Sequence, residues 1–192
     1  QHYAANTSEV RIIKHLHNLG QSAAICSGIA VANYPWIATL DGDGQNDPAD
    51  IPKLIARLID CAGQPGLPMI CGQRVKRQDT WLRKVSSKVA NSVRAKLLGD
   101  ATPDTGCGLK LFSKTAFERF PQFDHMHRFL PALVQGLGGE TVSVAVNHRA
   151  RRGGVSKYGV MDRLWTGILD MLGVWWLLRR SLSSTRAEIE QS

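Results

Sequence analysis

The segment Asp41–Pro48, which reads DGDGQNDP, constrains the fold of this 192-residue chain more than any other. It follows the short apolar run Trp36–Leu40, which is typical of a buried parallel strand. Asp47 and Pro48 are a typical N-cap and first residue of a helix. Open α/β sheets bind ligands where parallel strands end. The segment therefore predicts a ligand site at the carboxyl end of a strand in an α/β fold.

The acids of this segment indicate what the site would bind. Asp41 and Asp43 lie two residues apart, and carboxylate oxygens of this kind suit Mg²⁺ or Mn²⁺ bridging a diphosphate. Gly42 and Gly44 allow the backbone to approach a ligand closely. The alternative is an Asx-rich turn whose acids only start the next helix.

The flanking patterns predict a parallel sheet with crossover helices, because strand-like and helix-like segments alternate. Glu9–His15 reads as a short strand, Gln21–Ala32 as a helix and Pro68–Gly72 as a strand. A helix from Asp47 to about Ala62 would present one apolar face, formed by Ile51, Leu54, Ile55, Leu58 and Ile59. Further along, the pattern predicts a helix over 81–98, a loop over 100–108, a strand over 109–113, helices over 114–120 and 127–137, a strand over 141–148 and an apolar helix over 161–178.

Charge is distributed unevenly. The chain has a formal net charge of +8, with −2 in residues 1–70 and +10 in residues 71–192. A basic half suggests an anionic partner, which leaves nucleic acid, a phosphorylated substrate and a membrane surface open. The basic residues concentrate in segment 72–88, where arginines and serines are able to hold phosphate oxygens, and in the glycine-containing segment 148–158, which suits a flap over a phosphate. The alternative for both is a solvated surface.

Three smaller features remain ambiguous. Asp104 lies in a glycine-flanked loop and is either a residue that orients a substrate or a plain turn acid. His125 and His127 form an HxH pattern that more often packs or hydrogen-bonds than ligates a metal. The cysteines show no CxxC spacing and are expected to be reduced and mostly buried, namely Cys26, Cys61, Cys71 and Cys107.

Taken in this order, the segments 41–48, 72–88, 104–110 and 148–158 resemble family 2 glycosyltransferases of the GT-A fold. Within them the chain is most similar to the polyprenyl-phosphate branch, the dolichol-phosphate mannosyltransferase-like enzymes, over about residues 9–178. The resemblance implies an α/β, Rossmann-like and mostly parallel sheet with flanking helices. It also implies metal-dependent, inverting transfer of a sugar from a nucleotide-sugar donor to a polyprenyl (undecaprenyl or dolichyl) phosphate.

The resemblance gives the acidic segments specific roles. Asp41, Asp43 and Gln45 match the DxDxQxxP pattern and would hold Mg²⁺ or Mn²⁺ and the donor diphosphate. Asp43 would be catalytic by stabilising the leaving diphosphate together with the metal. Asp104 begins the D-x-x-x-G-x-R/K pattern that ends at Lys110, and it is a candidate for orientation or base assistance.

The resemblance places the basic segments on phosphates. Gly72-Gln73-Arg74 fits the family's G-S-R, with Gln73 in place of Ser. Arg74, Arg83 and Ser87 fall where the family binds the lipid phosphate. Arg151 and Lys157 fit R-x-x-G-x-S-K and are expected on donor phosphates, with Arg151 also on the acceptor phosphate.

A polyprenyl acceptor requires a membrane surface, and Leu164–Leu178 is the candidate segment. Asp170 interrupts it, and it is too short to span a bilayer. Followed by Arg179 and Arg180, it fits a helix in the membrane interface. Its aromatic anchors at headgroup depth would be Trp165, Trp175 and Trp176. We therefore expect peripheral attachment at the cytoplasmic face, the alternative being a core-packing helix.

The predicted organisation is a partial GT-A domain over 1–160, an amphipathic interface helix over 161–180 and a disordered tail over 181–192. Members of the family begin with a hydrophobic strand and two acidic segments that bind the nucleotide base and ribose. This chain shows no counterpart before Glu9. The resemblance therefore implies an N-terminally truncated chain that lacks the first strands, with an exposed sheet edge and weak nucleotide binding.

Three other interpretations stay open. A glycosyltransferase acting on a saccharide or protein hydroxyl would need a positioned base. A basic nucleic-acid-binding protein is disfavoured, because the basic residues are not interleaved with a series of stacking aromatics. An inactive fragment is the third interpretation. The sequence leaves the sugar, the nucleotide base and homo-oligomerisation open.

Overall fold

The computed structural model describes residues 9–63, 66, 68–75, 91–149 and 160–180, and within them the fold is α/β, as predicted. The strands are β1 (Trp36–Thr39), β2 (Met69–Arg74), β3 (Lys110–Ser113) and β4 (Thr141–Val146). The helices are α1 (Gly20–Ala30), α2 (Ile51–Asp60), α3 (residues 91–98), α4 (Lys114–Glu118), α5 (Leu130–Gly136) and α6 (Val160–Arg180), with 3-10 turns at Pro48–Asp50 and Met126–Arg128.

The strands form one sheet in the order β1-β3-β2-β4. Only β2 and β4 pair in parallel, whereas β3 runs antiparallel to both β1 and β2. Strands β1, β2 and β4 therefore point the same way, so the predicted mostly parallel α/β sheet is confirmed in the direction of its described strands. The pairing differs from a plain βαβ sheet, because β3, which arrives late in the chain, lies antiparallel between β1 and β2. The register Thr39↔Lys110 brings the end of β1 beside the segment that precedes β3.

Strand β1 is half exposed, contrary to the prediction of a buried strand. Its residues alternate between exposed and partly buried, and Trp36 keeps 39% of its surface accessible. Within the described residues it pairs with β3 alone. The predicted strand at Glu9–His15 is also wrong: residues 10–15 carry no strand, and Ile12 is 59% exposed. A short apolar segment forms a strand only where a neighbouring strand pairs with it and covers it.

The core lies on both faces of the sheet. Because successive strand residues face opposite sides, Met69 and Cys71 pack with Phe112 on one face, while Ile70 packs with Leu111 on the other. Helices α1, α4 and α5 contribute to the first cluster and α2 to the second. All four cysteines are free, and three of them are buried, as expected.

The helix after the acidic segment begins as predicted but buries a narrower face. Asp47 caps the 3-10 turn Pro48–Asp50, which leads directly into α2, and its side chain accepts a hydrogen bond from the backbone N–H of Ala49. Leu54 is fully buried, yet Ile55 and Ile59 are 43% and 66% exposed. The sheet contacts one stripe of the helix, so two of the five isoleucines and leucines on the predicted face remain in solvent.

Helix α6 packs against the domain along one face. Val174 is 2% exposed and lies in a cluster with Leu98 and Phe129. A Cβ at Gly136 would lie 2.4 Å from Leu178 Cδ2, so α6 and α5 are in close contact. The described helices include none with the length and apolar character needed to cross a membrane.

Candidate active site

A cleft of about 640 Å³ lies where β1 ends. Helix α1, the acidic segment, the loop before β3 and the 3-10 turn at Met126–Arg128 form its walls. Asp41 and Asp43 line it, as their position after β1 predicts. The other lining residues are Gln21, Ala24, Ile25, Thr39, Leu40, Gly42, Thr105, Gly106, Cys107, Gly108, Lys110, His127, Arg128 and Leu130.

The carboxylate of Asp41 is fixed from several sides. Gln21 Nε2 donates to Asp41 Oδ1 over 2.9 Å, and the backbone N–H of Asp41 donates to Asn46 Oδ1 over 3.0 Å. Gly108 lies directly against the carboxylate, because a Cβ there would be 2.3 Å from Asp41 Cγ. Thr39 Oγ1 holds this contact by donating to the Gly108 carbonyl over 2.8 Å. Only glycine fits at position 108 with Asp41 in this place.

Asp43 lies in the same turn, and its Oδ1 accepts the backbone N–H of Gln45 over 3.1 Å. The side chain of Gln45 lies elsewhere: its Nε2 is 3.4 Å from Nε2 of His148, and Gln45 is not among the residues that line the cleft. Among the described residues, no group of three or more His, Cys, Asp or Glu side chains is placed to hold a metal ion. Two carboxylates nevertheless fit Mg²⁺, which proteins usually bind through one or two carboxylates together with substrate phosphates and water.

Arg74 and Asp104 form one unit beside the cleft. Arg74 Nε and Nη2 each donate to Asp104 over 2.7 Å, and the Arg74 backbone N–H donates to Asp104 Oδ2 over 3.2 Å. Their side chains are only 16% and 5% exposed. A Cβ at Gly106 would lie 3.3 Å from Arg74 Nη2, so glycine leaves room for the pair. A bidentate pair of this kind fixes the orientation of the guanidinium.

Cationic side chains also line the cleft, and their charge is opposite to that of Asp41 and Asp43. Lys110 is buried, and its Nζ donates to the Cys107 carbonyl. Burial lowers the pKa of Lys110, and the carboxylate of Asp41 is among the charges that oppose this shift. Arg128 is held through its carbonyl, which accepts a hydrogen bond from Arg94 Nη2. Among the described residues, the cleft therefore combines the carboxylates of Asp41 and Asp43 with the cationic side chains of Lys110 and Arg128.

The family of the chain follows from comparison with known proteins. The protein-family model described as "Glycosyl transferase family 2" matches residues 1–120. The chain belongs to glycosyl transferase family 2. It is 39% identical over 173 residues to the dodecaprenyl-phosphate galacturonate synthase of Rhizobium johnstonii, covering 88% of this chain and 50% of that protein.

Two further relatives carry one name, undecaprenyl-phosphate 4-deoxy-4-formamido-L-arabinose transferase. The Proteus mirabilis protein is 32% identical over 160 residues, and the Photorhabdus laumondii protein is 34% identical over 160 residues. Each match covers 82% of this chain and 48% of the relative. The chain thus spans about half the length of these curated relatives. The family resemblance indicated by the motifs is confirmed, and the relatives' names agree with the polyprenyl-phosphate branch.

Several predicted residues of this family 2 chain lie outside the described residues, namely Arg83, Ser87, Arg151 and Lys157. The side chain of Trp165 also lies outside the described part of the chain. Of the other predicted membrane anchors, Trp175 packs against the cluster around Val174 and lies under the guanidinium of Arg179, 4.6 Å from its ring centre. Trp176 is 58% exposed.

Gln21 and Arg128 line the cleft but carry no motif, so they were not predicted. Lys110 also lines the cleft, and the sequence marks it as the end of the D-x-x-x-G-x-R/K pattern. The HxH pattern was correctly predicted to hydrogen-bond, because His125 Nδ1 lies 2.9 Å from Asp170 Oδ2 and His127 Nδ1 lies 2.8 Å from Ser22 Oγ.

Proposed function

We propose that this chain is the catalytic part of an enzyme that transfers a sugar, with inversion, from a nucleotide-sugar donor to a polyprenyl phosphate. One observation carries the proposal: Asp41 and Asp43 share a cleft with Lys110 and Arg128. The relatives named above are synthases and transferases of polyprenyl-phosphate sugars.

The reaction suits a site without a strong base. A phosphate oxygen of the acceptor forms a bond to the anomeric carbon of the sugar, the bond from that carbon to the diphosphate breaks, and nucleoside diphosphate leaves. A phosphate monoester is already ionised near neutral pH, so cationic groups that position it contribute more than a proton acceptor does. We assign this positioning to Arg74, with the undescribed Arg83, Ser87 and Arg151 as further ligands expected from the resemblance.

In the proposed mechanism, Asp104 acts through Arg74. Its carboxylate accepts three hydrogen bonds from Arg74, two from the guanidinium and one from the backbone. A carboxylate engaged in this way is a poor proton acceptor, which argues against transfer to a saccharide or protein hydroxyl with Asp104 as the base. We propose Asp104 as the residue that orients Arg74.

We propose that Asp41 and Asp43 bind Mg²⁺ or Mn²⁺ together with the donor diphosphate. When bound, this ion would neutralise charge that develops on the leaving diphosphate. Gln45 is left out of this ligand set, because its amide faces His148. Asp41 is positioned for this role by Gln21 and Gly108.

We further propose that α6 rests on the cytoplasmic face of a membrane. Its packed face carries Val174, whereas its exposed apolar residues recur at helical spacing and precede a basic end, as in interfacial helices. These exposed residues are Ile168, Leu169, Leu172 and Trp176, followed by Arg179 and Arg180. Among the described side chains, the packing of Trp175 leaves Trp176 as the aromatic anchor, and Trp165 stays a prediction.

The test is a transfer assay with the full chain, undecaprenyl phosphate, Mg²⁺ or Mn²⁺ and a panel of radiolabelled nucleotide sugars. We expect label in the organic phase with at least one donor, and no transfer by Asp43→Ala. Arg74→Ala should mainly weaken the acceptor step. Label that appears only on soluble acceptors would overturn the proposal.

A further inference from the structure

The 3-10 turn Met126–Arg128 places an imidazole in the wall of the cleft. His127 and Arg128 both line the cleft beside Asp41 and Lys110. Met126 is 1% exposed and anchors the turn in the core. On the other side, His125 reaches Asp170 of α6. The turn is therefore held from both sides, and the position of His127 is fixed by the fold.

The ring of His127 has one nitrogen occupied within the protein. Its Nδ1 lies 2.8 Å from Ser22 Oγ, and Ser22 is 4% exposed on α1. The backbone N–H of His127 also donates to this oxygen over 3.4 Å. Ser22 Oγ accepts that N–H and keeps its own hydrogen, which it can donate to Nδ1. A hydrogen bond donated to Nδ1 selects the tautomer with its proton on Nε2, which leaves Nε2–H as the ring's remaining polar group.

We infer that His127 recognises the transferred sugar: its Nε2–H donates a hydrogen bond to an oxygen substituent of the donor's sugar. The substrate class is a sugar that carries a hydroxyl or amide oxygen at the recognised position. This inference rests on the proposed function for the identity of the donor. Ser22 is the positioning residue that fixes the tautomer.

Charge explains why this group suits the sugar better than the diphosphate. Burial, followed by the nearby cations Arg128 and Lys110, lowers the pKa of His127 to about 4. The ring is then neutral at neutral pH and adds no positive charge. The anionic diphosphate is better served by the cationic residues, whereas a neutral N–H donor matches the uncharged or weakly accepting oxygens of a sugar.

The matched variants are His127→Phe, which removes the donor, and His127→Gln, whose Nε2 keeps a donor at a similar distance from the backbone. His17→Phe repeats the first change at an exposed histidine that does not line the cleft. Calorimetry on the full chain measures the dissociation constants of UDP, UDP-glucose, UDP-galacturonate, GDP and GDP-mannose. For each nucleotide, the ratio of its dissociation constant to that of its sugar conjugate isolates the contribution of the sugar.

We expect His127→Phe to lower this ratio about tenfold for the preferred donor, with the affinity for the free nucleotide unchanged. His127→Gln should keep most of the ratio, and His17→Phe all of it. An unchanged ratio in His127→Phe overturns the inference, as does an equal loss of affinity for the free nucleotide, which would place His127 on the diphosphate.

Nitrogen-15 spectra of the histidine rings give a second readout that a structural role alone would not move. They should show His127 with its proton on Nε2, and a mixture of tautomers in Ser22→Ala. A proton on Nδ1 overturns the inference.

Donor binding requires no acceptor, so the two hypotheses fail separately. Selective donor binding without transfer to a polyprenyl phosphate refutes the proposed function and supports recognition of the sugar by His127. Normal transfer to a polyprenyl phosphate, together with an unchanged dissociation-constant ratio in His127→Phe, supports the proposed function and refutes recognition of the sugar by His127.

Discussion

Gly108→Ala tests whether the position of Asp41 governs catalysis. A Cβ at Gly108 would lie 2.3 Å from both Cγ and Oδ2 of Asp41 and 2.5 Å from Oδ1. Non-bonded carbon atoms prefer separations of about 3.5–4.0 Å, so the carboxylate must retreat by about 1 Å. The backbone of Gly108 lies outside the left-handed region, so an alanine there adds no backbone strain of its own.

Asp41 has little room for this retreat, because Gln21 holds its carboxylate and Asn46 holds its backbone. A displacement of about 1 Å in a catalytic group costs on the order of 100-fold in rate. Overpacking should lower the free energy of unfolding by only about 1–3 kcal/mol. We therefore expect Gly108→Ala to be folded, about 100-fold slower in sugar transfer, and weaker in Mn²⁺ binding.

The assay combines initial transfer rates, Mn²⁺ titration followed by electron paramagnetic resonance, and thermal unfolding. Gly28→Ala is the matched control, since Gly28 lies in α1 and a Cβ there has open space within 4 Å. The control should keep wild-type activity and gain about 0.4–1 kcal/mol in stability. A Gly108→Ala variant with the wild-type rate and Mn²⁺ affinity would show that the position of the Asp41 carboxylate does not govern sugar transfer.

Three further predictions concern other parts of the molecule. Asp104→Asn should raise KM for polyprenyl phosphate about tenfold because Arg74 loses its charged partner; turnover slowed by about 100-fold or more at an unchanged KM would identify Asp104 as a base instead. Burial alone would raise the pKa of Asp50, but hydrogen bonds and the charge of Lys53 outweigh burial and lower this pKa. The ionised Asp50 therefore stabilises the fold above about pH 4, and this stabilisation is lost as the pH falls through the lowered pKa. Asp50→Asn should accordingly cost about 2–3 kcal/mol at pH 7 and much less at pH 2, as measured by urea unfolding, and an equal cost at both would contradict this. Trp176→Glu should abolish sedimentation with anionic liposomes, whereas Ile59→Glu, at an equally exposed apolar site on α2, should not; equal losses would contradict the assignment of α6 to the membrane.

Local chemistry made much of the fold predictable. Asp47 and Pro48 start the 3-10 turn that leads into α2, because capping and a fixed φ act within a few residues. The position of the acids after an apolar strand is also set by neighbouring residues and could be predicted. The order of the strands could not be predicted, because the insertion of β3 between β1 and β2 depends on pairing between residues about 70 positions apart, such as Thr39 and Lys110.

The same distinction holds for the site. The motifs predicted that Asp41 and Asp43 lie at the ligand site and identified Arg74 and Asp104 as separate candidates. Arg74 and Asp104 form one ion pair, which is a tertiary contact between residues 30 positions apart that no local pattern encodes. His127 enters the cleft because a buried methionine and Ser22 place its turn there, which the HxH spacing alone does not specify.

In the proposed reaction, a polyprenyl phosphate oxygen attacks the anomeric carbon of the sugar and displaces the whole nucleoside diphosphate. Mass spectrometry of the lipid product and chromatography of the released nucleotide measure this directly. We expect a lipid product with a single phosphate between sugar and polyprenyl chain, formed in equal amount with nucleoside diphosphate. A lipid product with two phosphates, or release of nucleoside monophosphate, would contradict it.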